Sequence, residues 1–271
     1  MKRVSGDAYL SSYGFSTVQT PENSTDESWG WKSRGVKSQF STALNTFLSL
    51  PTLIAQEAMI KNWRTNGTFC SKWTKHSGSK VTQHDLDILE ANLNDEPSNE
   101  LILLLPLRYT GFLLVILDNR SGRYTFWQDL KHSSKYGELD IMFVDFLGTG
   151  QKAVQLETTG ASGTGIRGSN MSLWFWTGSK FDQVYGGYTF DGGYGQGHMM
   201  ENTATYSFVS VPGEPIKRLI RRVEERYWDN LSLQAEPDQT RKHPPSKFAR
   251  YEETYRWDAT KLHFLQGEKN P

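Results

Sequence analysis

The stretch Leu139–Phe190, LDIMFVDFLGTGQKAVQLETTGASGTGIRGSNMSLWFWTGSKFDQVYGGYTF, most constrains what this chain can fold into. Short runs with β-branched and aromatic residues alternate with glycine-bearing turns, the pattern of consecutive antiparallel strands. Leu139–Phe146 and Lys152–Thr158 read as strands, and Gly148-Thr149-Gly150 between them supplies two residues free to take positive φ. In Met171–Thr177 the side chains of Met171, Leu173 and Phe175 fall on one side, and Trp174 and Trp176 on the other. Both sides are apolar, so this strand is expected to be covered on both faces. Gly178-Ser179 then turns the chain into a strand over Lys180–Tyr185.

Upstream, Met1–Lys32 has no sustained period and reads as an irregular leader. Val36, Phe40, Ala43, Leu44, Phe47 and Leu48 recur at helical spacing and stop near Leu50-Pro51, since proline disfavours helix in the residue before it. Leu53, Ile54, Ala58, Met59 and Trp63 continue as a second helix closed near Asn66-Gly67. Both are expected to pack on a sheet. Thr82-x-x-Asp85 resembles a capping box and predicts a short helix through Leu93. Glu100–Leu107, Tyr109–Asp118 and Arg123–Asp129 read as strands, the last two joined by a turn at Asp118–Gly122.

Downstream, Asp191-Gly192-Gly193-Tyr194-Gly195-Gln196-Gly197-His198 reads as a glycine-rich loop, and Thr203–Val211 as a strand. Glu214–Leu231 reads as a helix, from Ile216, Leu219, Ile220, Val223 and Tyr227. Glu236–Ser246 reads as an exposed linker and Ala249–Gln266 as a hairpin. The expected fold class is α+β and β-dominated: about eleven mostly antiparallel strands in a curved sheet or sandwich, with N-terminal helices and one helix near 214–231. Residues 1–98 would form the leader and helical segment packed on the body, and 99–271 the β-rich domain.

Composition excludes several roles. Thirty basic and 30 acidic residues leave a net charge of +0, which argues against a global field for nucleic acid or an anionic membrane. The single cysteine, Cys70, permits no intrachain disulfide and no cysteine-rich zinc site. His76 and His84 are near it in sequence, which does not make a catalytic dyad, so an inert thiol is expected. The apolar run Leu101–Leu117 is broken by Pro106, Arg108 and Gly111, so it predicts buried strands and not a membrane span. No secretory leader is legible, because Val4–Tyr13 carries Ser, Gly and Asp where an apolar run belongs. Gly163-x-Gly165-x-x-Gly168 runs into a strand and not into a helix, unlike a dinucleotide fingerprint. The acidic run in Val81–Leu107 reads as a solvated face, and His198-Met-Met-Glu201 lacks a third metal ligand. No cofactor and no metal are expected.

Trp176-Thr-Gly-Ser-Lys-Phe181 and Trp257-Asp-Ala-Thr-Lys-Leu262 share a layout: an aromatic strand end, a turn, Lys, then an apolar residue starting the next strand. With Leu147-Gly148-Thr149-Gly150 ahead of the first copy, this resembles bacterial FG-GAP/VCBS-type β-repeat proteins. It resembles more loosely the periplasmic lysozyme-inhibitor and immunity-protein group. That resemblance implies a periplasmic or exported protein, with Trp176 and Trp257 at equivalent hairpin positions. In the family the turn offers several oxygens to calcium. Here Asp145 matches, but Leu147 and Thr149 stand where further ligands belong, so a metal-free turn is expected.

The residues singled out for binding are Tyr185, Tyr188, Asp191, Tyr194 and His198. Aromatic residues with a polar tip, set among glycines, suit an adaptable contact surface; the competing reading is a hairpin end whose tyrosines cover the core edge. The expected function is a non-catalytic protein-binding module, an inhibitor or immunity protein of a partner enzyme. The alternatives are a hydrolase using carboxylates and His198 in a cleft, and a carbohydrate-binding module with exposed aromatics.

Overall fold

A computed structural model describes residues 42–66, 87–107, 111–119, 122–132, 139–162, 166–195, 197–229, 231 and 237–270. Residues 42–49 form helix α1, and Leu53–Asn66 form helix α2. Thr52 caps the second, its Oγ1 accepting the Ala55 amide at 3.3 Å. Phe47, Ile60 and Trp63 are buried against Leu101, Leu103, Leu113, Val115, Leu117 and Tyr124 of a sheet, as the apolar spacing requires. Gln56 is fully buried and satisfied there. Its Nε2 donates to the Phe47 and Tyr124 carbonyls (3.3 and 2.9 Å), and its Oε1 accepts the Tyr124 amide at 2.7 Å.

That sheet is an antiparallel meander of β1 (Asp87–Ala91), β2 (Glu100–Leu107), β3 (Gly111–Asp118) and β4 (Thr125–His132). Its central strands are apolar on both faces because both are covered. Leu101, Leu103, Leu113 and Val115 face the helices, and Ile102, Leu104, Leu114 and Ile116 face a second sheet. The short helix expected through Leu93 is corrected: Asp87–Ala91 is a strand. Its side chains alternate towards the two faces, and Ile88 and Leu89 pack into different cores.

The second sheet holds eight antiparallel strands in sequence order. They are β5 (Leu139–Val144), β6 (Ala153–Ser162), β7 (Ile166–Trp176), β8 (Phe181–Gly195), β9 (His198–Val209), β10 (Arg218–Trp228), β11 (Lys247–Asp258) and β12 (His263–Asn270). Leu139, Ile141, Phe143, Val154, Leu156, Trp174, Trp176 and Phe181 meet the first sheet. Trp127 packs edge-on to Trp176 at 4.6 Å, and the Gln128 amide exchanges two hydrogen bonds with the Phe181 backbone. Met171, Leu173 and Phe175 face the other way, as the alternation predicted.

The second sheet then folds on itself. β8 pairs with β7 from Phe181 to Gly193, but with β9 only over Phe190–Gly195. β9 stays paired to β10 from Met199 to Val209. The near halves of β8 and β9 therefore part, and a third core fills the space between β5–β8 and β9–β12. Phe146 is its centre, with Phe175, Trp257 and Phe264 at 5.0, 5.0 and 5.1 Å.

The helix expected at 214–231 is corrected to a strand: Arg218–Trp228 is β10, hydrogen-bonded to β9 and β11 along its length. The linker expected at Glu236–Ser246 holds a helical turn, α3 (Pro237–Thr240), with Thr240 buried. Arg241 just after it pairs with Glu201 at 2.5 Å, and Trp228 Nε1 donates to the His243 carbonyl. The two tryptophan hairpins also differ. Trp176 stands opposite Phe181, and Trp257 opposite Phe264. Leu262 lies in the second turn at positive φ and does not start β12.

Candidate functional site

The glycine-rich loop expected at Asp191–His198 is a correction of substance. Tyr188, Asp191 and Tyr194 lie on the 15-residue strand β8, and His198 opens β9, so only a short turn separates them. Gly186, Gly187, Gly192, Gly193 and Gly195 are absent from the positive-φ glycines, so none of them serves to reverse the chain. A Cβ on Gly187 would stand 2.5 Å from the Tyr206 hydroxyl and 3.1 Å from that of Tyr185. One on Gly192 would stand 2.6 Å from the Phe190 ring. These glycines admit close packing within a strand.

The five singled-out residues separate accordingly. Tyr185 is 4 % exposed and packs in the third core against Tyr255 and Tyr206, at 4.9 and 5.8 Å between rings. It is structural, and burial drives its hydroxyl pKa far upward. Tyr188 is half-buried beneath the Arg221 guanidinium, 4.1 Å from the ring centroid. Its carbonyl accepts the Tyr206 hydroxyl at 2.5 Å, which bridges the gap where β8 leaves β9. Burial pushes the Tyr206 hydroxyl up to about 12. Asp191 is half-buried opposite Asn202, and burial raises its carboxyl above the usual range. Tyr194 alternates onto the opposite face from Asp191 and Gly193. His198 is exposed, stacks on Tyr227 at 5.8 Å and places Nδ1 3.3 Å from Asp229.

One face of β8–β11 collects the chemistry. Arg221, Val223, Glu225 and Tyr227 alternate onto it from β10; Glu253 and Tyr251 stand opposite Arg221 and Val223 on β11. Arg221 and Glu253 form an ion pair at 2.7 Å with side chains only 10 % and 7 % exposed. The Tyr255 hydroxyl donates to the same Glu253 oxygen at 2.9 Å. The Tyr251 hydroxyl donates to Glu225 at 2.7 Å, and Lys269 Nζ stands 3.3 Å over the Tyr251 ring. Further along, Lys247 lies over Tyr227 at 5.2 Å. Sequence reading missed Arg221, Glu253, Tyr206, Tyr251 and Tyr255. The available signal was the alternation Leu219, Arg221, Val223, Glu225, Tyr227, which a buried arginine disguises.

At the Asp145 turn, Oδ1 accepts the Gly148 amide at 2.6 Å and Oδ2 the Gly150 amide at 2.9 Å. Both glycines take positive φ. Lys152 Nζ stands 3.9 Å from the carboxylate, and Lys217 Nζ donates to the Asp145 carbonyl at 2.8 Å. Backbone amides and two lysines thus occupy the positions around an oxygen that calcium would need. Titrating up to millimolar calcium into the protein is expected to give no calorimetric heat and no change in melting temperature; micromolar binding abolished by Asp145→Ala would sink this expectation.

Cys70, His76, His84 and the first two glycines of Gly163-x-Gly165-x-x-Gly168 lie outside the described residues. In the acidic run, Glu90 pairs with Arg64 at 2.9 Å. Glu100 is buried and accepts from the Leu93 amide and the Asn94 side chain. Among the described residues, no group of three His, Cys, Asp or Glu is placed to hold a metal, and no helix is long and apolar enough to cross a membrane. No protein-family model matches the chain, and no curated protein matches its sequence.

Proposed function

We propose that the chain is a non-catalytic binding protein whose contact surface is the face of β8–β11 carrying Tyr188, Tyr227 and Tyr251. The observation that carries this reading is that each of the three rings holds a cation: Arg221, Lys247 and Lys269 respectively. Tyrosine and arginine are the side chains most often at the energetic centre of interfaces. Here they sit on paired strands, so little ordering entropy would be lost on binding. The hairpin resemblance supports a partner among enzymes that an inhibitor or immunity protein would occlude, and a compartment outside the cytoplasm.

The test is capture of a partner from the native source by immobilised protein. Tyr227→Ala and Tyr188→Ala should each weaken capture about thirtyfold, as for an anchoring residue worth about 2 kcal/mol. Tyr194→Ala, on the opposite face, should leave it unchanged. Tyr227 is half-exposed, so its variant should melt within a few degrees of the parent. Equal capture by all three variants would remove this surface from consideration. A hydrolase reading is favoured by one observation, the raised carboxyl of half-buried Asp191, which suits a general acid. Its nearest catalytic companion by sequence, His198, is paired with Asp229 instead.

A further inference from the structure

Arg221 offers more hydrogen bonds than its surroundings take up. The residue is 8 % exposed, and its Nη1 donates to Glu253. Its Nε and Nη2 are buried and have no hydrogen-bond partner among the described residues. A buried donor left unmet is costly, and a guanidinium donor more so. These two nitrogens are the side-on fork of the guanidinium, whose parallel N–H bonds match two oxygens of one carboxylate, sulfate or phosphate.

The surroundings fit such a group. The Tyr188 ring covers the guanidinium, and the hydroxyls of Tyr188 and Tyr206 interact with it, yet Nε and Nη2 meet no acceptor at full hydrogen-bond geometry among the described residues. Lys269, half-exposed, stands 3.9 Å from Glu253 and brings a second positive charge from the solvent side. Arg221 and Lys269 face one carboxylate, Glu253, whose Oε2 already accepts from Arg221 and Tyr255. Glu225 stands on the same face with its carboxylate bonded to Tyr251, which disfavours a doubly charged ligand.

The geometry points to an oxyanion subsite at Nε and Nη2 of Arg221, built for a singly charged group such as a carboxylate. Tyr188, whose ring covers the guanidinium, is itself half-buried. The inference deepens the proposed function by naming the group this face recognises, and it rests on that face being the contact surface. Ion binding needs no partner protein, so the two can fail separately.

The test follows the Arg221 Hε–Nε signal of the full chain by NMR while sodium acetate is added, with sodium chloride at matched ionic strength as control. Acetate should shift the signal saturably, and chloride should not. Lys269→Ala, which removes the outer cation, should weaken acetate at least about threefold. Arg221→Lys keeps the charge but lacks the fork, and should weaken acetate about tenfold or more, followed by calorimetry. If Arg221→Lys fails to fold, the parent signal and Lys269→Ala still decide. A non-saturating shift, an equal response to chloride, or unchanged affinity in a folded Arg221→Lys variant would overturn the subsite.

Discussion

Phe146→Ala is expected to destabilise the protein by about 3–5 kcal/mol, the range for deleting a large ring from a packed core. Phe146 is fully buried and touches rings from both halves of the folded sheet: Phe175 on β7, Phe208 on β9, Trp257 on β11 and Phe264 on β12. It bridges the halves at the level where β8 and β9 have parted. The surrounding rings are held on paired strands and cannot collapse into the vacated space, so the cavity cost adds to the lost burial. The melting temperature should fall by about 2–4 °C for each kcal/mol. Near-ultraviolet circular dichroism should report the loss, since the probes are the same aromatic side chains. A loss under about 1 kcal/mol would mean that the two halves of the sheet do not share this core.

The β-dominated fold was legible because its signals are local. The alternation in Met171–Trp176 shows both faces of β7, and the apolar run Leu101–Leu117 indicates a pair of buried strands, which the structure covers on both sides. β10 was not legible. Ile216, Leu219, Ile220, Val223 and Tyr227 have helical spacing, yet Leu219, Arg221, Val223 and Tyr227 share one strand face. The period of two is hidden because Arg221 is a buried charge, and its burial depends on Glu253, 32 residues away. No local rule foresees a partner at that distance.

The loop expected at Asp191–His198 fails for the opposite reason: there tertiary packing overrides a local rule. Clustered glycine usually marks a turn, but Gly187 and Gly192 are small because Tyr206 and Phe190 lie against them. Tyr188 lies beneath the Arg221 guanidinium. Sequence proximity groups Tyr185 with it, although Tyr185 packs in the third core. The charged side chains of β10 and β11 reach Tyr188 only because the sheet folds over, a consequence of pairing that sequence does not display.

Glu253→Ala should cost about 3–5 kcal/mol, because it strands Arg221 as an uncompensated buried charge. The deleted carboxylate accepts from Arg221 Nη1 and from the Tyr255 hydroxyl, so two donors lose their partner at once. Arg221 cannot escape by swinging to solvent, since Tyr188 covers it and Tyr206 stands opposite on β9. Replacing both members, Arg221→Met with Glu253→Leu, should restore most of the loss, because the pair owes much of its apparent strength to the penalty for breaking it. Denaturant unfolding of the parent, Arg221→Met, Glu253→Leu and the double variant closes the cycle. The double variant should be more stable than either single one. If Glu253→Ala costs under about 1 kcal/mol, water reaches Arg221 freely, and the guanidinium has no need of any other partner.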